Sequence, residues 1–176
     1  MDDKALMAAV IAGDPEKLGI LYERYKMPLY SYFYKFTGGN KHSSEDLVQT
    51  VFYRVLKYKE QYRGTGTFVG WLFTIAHNTG IDFHKAENRK PKASADLREI
   101  KVYADSLQRD EESALLLKAL GKLKPDDKEV LILSKMECLK YSEIAVIMNC
   151  NENAIKARVL RALNRLKQIY LKLENA

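Results

Sequence analysis

A chain of 176 residues, 47% of them apolar, is long enough for one ordinary domain or two small ones. Its net charge of +6 favours a polyanionic partner. Two cysteines, Cys138 and Cys150, are too few for a four-ligand zinc site, and no stretch approaches the ~20 apolar residues of a membrane helix. The acidic start MDDKALMAAVIAGD does not read as a signal peptide, and a reduced cytoplasmic protein with no membrane insertion of its own is expected. Period-3.6 patterning dominates and strict alternation is scarce, so the expected fold is all-α.

Gly-Asp-Pro at 13–15, Thr-Gly-Gly-Asn at 37–40 and Arg-Gly-Thr-Gly-Thr at 63–67 separate helices near 3–12, 15–36, 43–58 and 68–88. Pro28 is expected to kink or break the second. Ser43 or Ser44 is expected to cap the third, with Glu45 and Asp46 in its first turn. From about Asn88 to Glu112 the apolar pattern weakens and a flexible linker is expected. SALLLKALGKL then reads as an amphipathic helix, and Pro125 with Asp126 and Asp127 as the start of the next. The layout is two small helical domains on a tether: residues 1–92, a linker over 93–112, and 113–176.

Tyr141–Leu163 carries the plainest functional signal. Ile144, Ala145, Ile147 and Met148 give a first short helix a buried face. Asn149 suits a left-handed turn and Asn151 is a good N-cap. Ile155, Val159, Ala162, Leu163 and Leu166 mark the core stripe of a second helix. Its other face bears Lys156, Arg158, Leu160, Arg161 and Arg165. This is the pattern of a helix-turn-helix, whose second helix enters the DNA major groove. Cations there meet phosphates and long donors meet base edges. A basic face alone is commonly just a solvated one. The polar joint at the right offset is what favours DNA.

Upstream, Glu45–Lys92 interleaves aromatics with basic residues around a glycine-bearing loop. Aromatics beside cations can stack unpaired bases. Phe68, Trp71 and Leu72 are nonetheless expected to pack the core, as large apolar side chains usually do. No GKS or GKT follows the loop, so it is not a triphosphate cradle. No nucleophile–base pair, paired carboxylates or metal-ligand spacing points to an enzyme, and no cofactor is expected.

Three segments together resemble an extracytoplasmic-function (group four) sigma factor of bacterial RNA polymerase. EDLVQTVFYRVL resembles the family's polymerase-binding helix. YRGTGTFVGWLFTIAHNTGIDF resembles its promoter-melting region, with the family's spacing at Phe68, Trp71, Leu72, Ile75, Ala76 and Asn78. LKPDDKEVLILSKMECLKYSEIAVIMNCNENAIKARVLRALNRL resembles its second domain. The resemblance implies a transcription initiation factor whose partners are core RNA polymerase, promoter DNA and an anti-sigma factor. It implies polymerase contacts at Asp46, Gln49 and Phe52. It implies minus-ten contacts at Tyr62, Arg63, Gly64, Thr65, Thr67 and Asn78, where a base is flipped out and read. It implies minus-thirty-five contacts at Lys156, Ala157, Leu160 and Arg161, with Arg158 and Arg165 nearer phosphates. Cys138 stands where the family often has Gly, Lys140 where it often has a capping Ser, and Ala157 where a hydroxyl is frequent. Ser142 is expected to cap the first helix of the motif instead. The competing reading is a stand-alone helix-turn-helix regulator, which would need a two-fold dimer and palindromic half-sites. A structural or RNA-associated helical protein is a weaker third.

Overall fold

The computed structural model describes residues 1–89 and 111–176. The expected linker falls almost wholly on residues outside that range. Among the described residues no strand forms, and no helix is long and apolar enough to cross a membrane.

The first half contains α1 (Asp3–Ile11), α2 (Glu16–Phe36), α3 (Lys41–Lys57), a single 3-10 turn at Lys59–Gln61, and α4 (Phe68–Arg89). The expected helices match these closely, with two corrections. First, α2 runs unbroken through Pro28. Its flanking turns pack Leu21, Leu29, Tyr32 and Phe33 into the core, and that burial outweighs one lost backbone hydrogen bond. Second, α3 begins before Ser43, because the Asn40 side chain accepts from the Ser43 N–H at 2.9 Å. Ser44 is buried instead, its hydroxyl donating to the Asn40 carbonyl at 2.6 Å. Glu45 and Asp46 therefore lie beyond the first turn.

The second half contains α5 (Glu111–Gly121), α6 (Pro125–Leu131) running into a π-helical turn at Ile132–Met136, α7 (Tyr141–Ile147) and α8 (Glu152–Glu174). The π turn ends where the Leu139 N–H reaches back to the Leu133 carbonyl at 3.0 Å. That closure requires a left-handed residue at Cys138, with φ of +54°. Cys138→Gly is expected to stabilise the fold by about 1 kcal/mol, since glycine takes this conformation without a Cβ clash. Urea unfolding checks it; a loss of stability would contradict the assignment.

As expected, the described residues form two helical domains, and these pack against each other. Buried side chains from Leu6 to Ala162 form one continuous apolar cluster. α4 packs against α7, and α2 against the π turn. Close approach is built in within the first half as well: a Cβ placed on Gly80 of α4 would lie 2.8 Å from the Phe36 ring of α2.

Candidate nucleic-acid interface

The helix-turn-helix forms from the residues expected of it. Ile144, Ala145 and Ile147 are buried and Met148 is half-buried. Asn149 has φ of +51°, and the Asn151 side chain accepts from the Ala154 N–H at 2.8 Å. The start of α7 differs from expectation. Ser142 does not cap it; the Glu143 carboxylate reaches back to the Lys140 N–H at 3.0 Å.

On α8, Ile155, Val159 and Ala162 face the core, whereas Leu163 is exposed. Lys156, Ala157, Leu160, Arg161 and Arg165 face solvent, and Arg158 is half-buried. Leu160 is 62% exposed, an apolar side chain left uncovered by the described residues. Three of the four cations stand near carboxylates: Lys156 by Glu152 at 3.5 Å, Arg158 by Asp126 and Arg165 by Asp127, both at 3.7 Å. These pairs are exposed enough to add little stability. Arg158 and Arg165, with Asp126 and Asp127, line a recess between α6 and α8 that Arg161 also lines. Among the described residues Arg161 has no carboxylate at ion-pair distance.

The glycine-bearing loop lies at the start of α4. Gly64 and Gly66 both take positive φ, which sharpens the turn. Arg63, Thr65 and Thr67 are exposed and Gly64 is half-buried. Thr67 caps α4, its oxygen accepting from the Gly70 N–H at 3.1 Å, while its hydroxyl donates to Glu143 at 2.6 Å. Tyr62 is buried against Phe68 and Trp71, and among the described residues its hydroxyl has no hydrogen-bond partner. Phe68 and Leu72 are core residues as expected; Trp71 is only partly buried. Asn78 is exposed three turns along α4, roughly 15 Å from the loop end of the helix. The loop residues are thus brought together, and Asn78 stands apart from them.

Asp46 and Gln49 are exposed on α3 and line a shallow depression with Thr50 and Tyr53. Phe52 does not join them. It is 6% exposed and meets the Tyr22 ring at 4.9 Å, so it is a core residue. Tyr53 and Leu56 are the exposed apolar residues of that helix, 66% and 42% accessible. They follow Gln49 at helical spacing, which was the available signal for them.

Sequence reasoning missed a buried polar cluster between α2, α4 and α6. Glu129 of α6 is buried, and one of its oxygens takes both the Tyr32 hydroxyl at 2.5 Å and His77 Nδ1 at 2.7 Å. The Glu129 hydrogen bond holds His77 above its ordinary pKa against the opposing effect of burial. A raised pKa means that protonation of His77 favours the folded chain. That contribution is complete below the ordinary value of 6.5 and is lost as pH rises through the raised one. The thermal midpoint of His77→Gln is therefore expected to fall furthest below wild type under pH 6.5 and to approach it at higher pH. A gap independent of pH would contradict this.

Two family models match the chain: sigma-70 region 2 over residues 21–90 and sigma-70 region 4 over residues 113–166. The extracytoplasmic-function (ECF) RNA polymerase sigma-E factor of Haemophilus influenzae is 26% identical over 175 residues, covering 92% of each chain. The structure of CnrH in complex with the cytosolic domain of CnrY is similar with a TM-score of 0.73 at 22% identity, covering 95% of this chain and 96% of that one. The sigma factor RpoE of Bartonella quintana, solved with the anti-sigma factor NepR, gives 0.68 at 23% identity, covering 85% and 95%. The two structures speak for the fold alone.

Proposed function

Since the chain belongs to the extracytoplasmic-function sigma factors, we propose that it binds core RNA polymerase and directs it to promoters by reading two DNA elements. It is a transcription initiation factor. The minus-thirty-five element is read as duplex by α8, through Lys156, Ala157, Leu160 and Arg161, with Arg158 and Arg165 near phosphates. The minus-ten element is read as melted single strand by the loop Tyr62–Thr67 and by Asn78. Core polymerase meets α3 at Asp46 and Gln49, with Tyr53 and Leu56 in the place assigned to Phe52. Residues 1–92 and 113–176 are the two functional units, and the role is binding rather than catalysis.

The observation that carries this reading is the exposed basic face of a capped recognition helix, in one chain with a glycine-bent loop at the head of an aromatic-rich helix. A groove reader alone needs only the first. An anti-sigma factor is a further proposed partner, by analogy with the complex of the Bartonella quintana protein.

The test mixes the purified chain with core RNA polymerase and a promoter carrying a pre-melted bubble. Binding to core and transcription from one start site are expected. Tight binding to an intact palindromic duplex without any affinity for core would favour a stand-alone regulator and overturn this reading.

A further inference from the structure

Resting on the reading of α8 as the duplex-binding helix, we propose that Asp126 and Asp127 are further determinants of its affinity for DNA. They compete with backbone phosphates for Arg158 and Arg165, and so restrain binding equally on every sequence.

Residues 158, 161 and 165 stand at helical spacing and form one stripe along α8. α6 packs alongside, with Asp126 and Asp127 in its first turn. Asp126 meets the Arg158 guanidinium and Asp127 the Arg165 guanidinium, both at 3.7 Å. Arg161 lies between the two, and among the described residues it has no carboxylate at ion-pair distance. Lys124 adds a fourth cation to the same recess. The carboxylates thus meet the two outer arginines of the stripe and leave the middle one open.

A helix start favours carboxylates in its first turn, which accounts for acidic residues at 126 and 127. It does not account for their meeting two arginines of another helix. Nor do the pairs hold the fold, since Asp126 is 70% exposed and Arg165 52%. What the pairs change is the charge that α8 presents. Each sets a carboxylate oxygen where a phosphate oxygen would meet the guanidinium. On duplex binding the phosphate must displace the carboxylate or share the arginine with it. A displaced carboxylate stays well within the ~8 Å screening length of physiological salt, and so repels the phosphate. Phosphates carry no sequence, so this opposition falls on all duplexes alike. Base reading by Arg161 and its neighbours is left untouched.

The test titrates labelled duplexes of one length and several unrelated sequences with the full chain, following fluorescence anisotropy at several salt concentrations. Asp126→Asn and Asp127→Asn are each expected to bind every duplex several-fold more tightly than wild type, by a similar factor throughout. Each should steepen the salt dependence by up to about one unit of slope. Asp126→Glu should stay near wild type. Glu23→Gln, on an exposed site of α2, makes the same change in net charge outside the recess and should gain little. In an Arg158→Gln background Asp126→Asn should lose most of its gain, because its partner is absent. Asp126→Asn is the decisive variant if Asp127→Asn loses helix content, its side chain being the more exposed. Unchanged or weaker binding would overturn the proposal. So would a gain confined to one sequence, a gain equalled by Glu23→Gln, or a gain that survives Arg158→Gln. Affinity for core polymerase is measured in parallel. If the variants gain on duplex but no form binds core, the role of the two carboxylates stands and the initiation-factor reading falls. If core is bound but the variants gain nothing, the initiation-factor reading stands and the carboxylates have no such role.

Discussion

Phe36→Ala is expected to destabilise the chain by about 3–5 kcal/mol, the range for deleting a buried aromatic ring. The ring is 4% exposed and lies where α2, α4 and α6 converge. Its neighbours are Tyr32 at 5.8 Å and Phe33 at 6.3 Å between ring centroids, and His84 at 4.6 Å. The Lys128 ammonium sits 5.6 Å from its centre. Gly80 leaves room for the ring by having no side chain, so no neighbour on that side can fill the vacated volume. Cavity, lost ring contacts and a weakened cation–π contact all act in one direction. Domains have only about 5–15 kcal/mol of stability in total, so a large share is at stake. Thermal unfolding should show the midpoint lowered by about 6–20 °C. Phe36→Leu should lose distinctly less. A loss below about 1 kcal/mol for the alanine variant would mean that the convergence of helices at Phe36 is wrong.

Arg161→Ala is expected to weaken minus-thirty-five recognition by about 1–3 kcal/mol, roughly 5- to 150-fold, if the guanidinium reads a base edge. Arg161 is singled out among the four cations assigned to the minus-thirty-five element because Lys156, Arg158 and Arg165 already stand near carboxylates. The measurement is promoter binding by the holoenzyme, on the preferred sequence and on variants changed one base pair at a time. A base reader loses discrimination at one position. A phosphate contact loses affinity equally on every sequence and lowers the salt dependence by about one unit of slope. Equal loss throughout would therefore reassign Arg161 to the backbone.

The recognition motif was legible because its signals are local. Asn149 and Asn151 each report a backbone requirement within three residues of themselves. Cys138 was legible as a departure from a usual glycine, and the chain does take a left-handed turn there. Phe52 shows the opposite case. Val48, Val51, Phe52 and Val55 recur at helical spacing and all are buried, a pattern by which periodicity alone would have set Phe52 inside. Family resemblance drew it to the surface. The cap of α3 was missed because Asn40, Ser43 and Ser44 are all good caps, and only the fold chooses between them. The Glu129 cluster had no local signal. Its partners lie 52 and 97 residues away, and a glutamate among DDKEVLIL reads as a solvated side chain.

Glu143 spends both carboxylate oxygens, one on the Lys140 N–H and one on the Thr67 hydroxyl. A side chain with two employers tolerates few replacements. Aspartate is a methylene too short to span both, and an apolar residue leaves both donors unmet. Positions 67 and 143 should therefore behave epistatically. Once Thr67 is lost, Glu143 is held only by its capping duty, which glutamine also performs. Exchange to glutamine at 143 should then be milder beside Thr67→Val than beside threonine, and a double-mutant cycle on unfolding would expose the difference. The same coupling would leave its trace in descent, with threonine at one site and glutamate at the other tending to persist or disappear together.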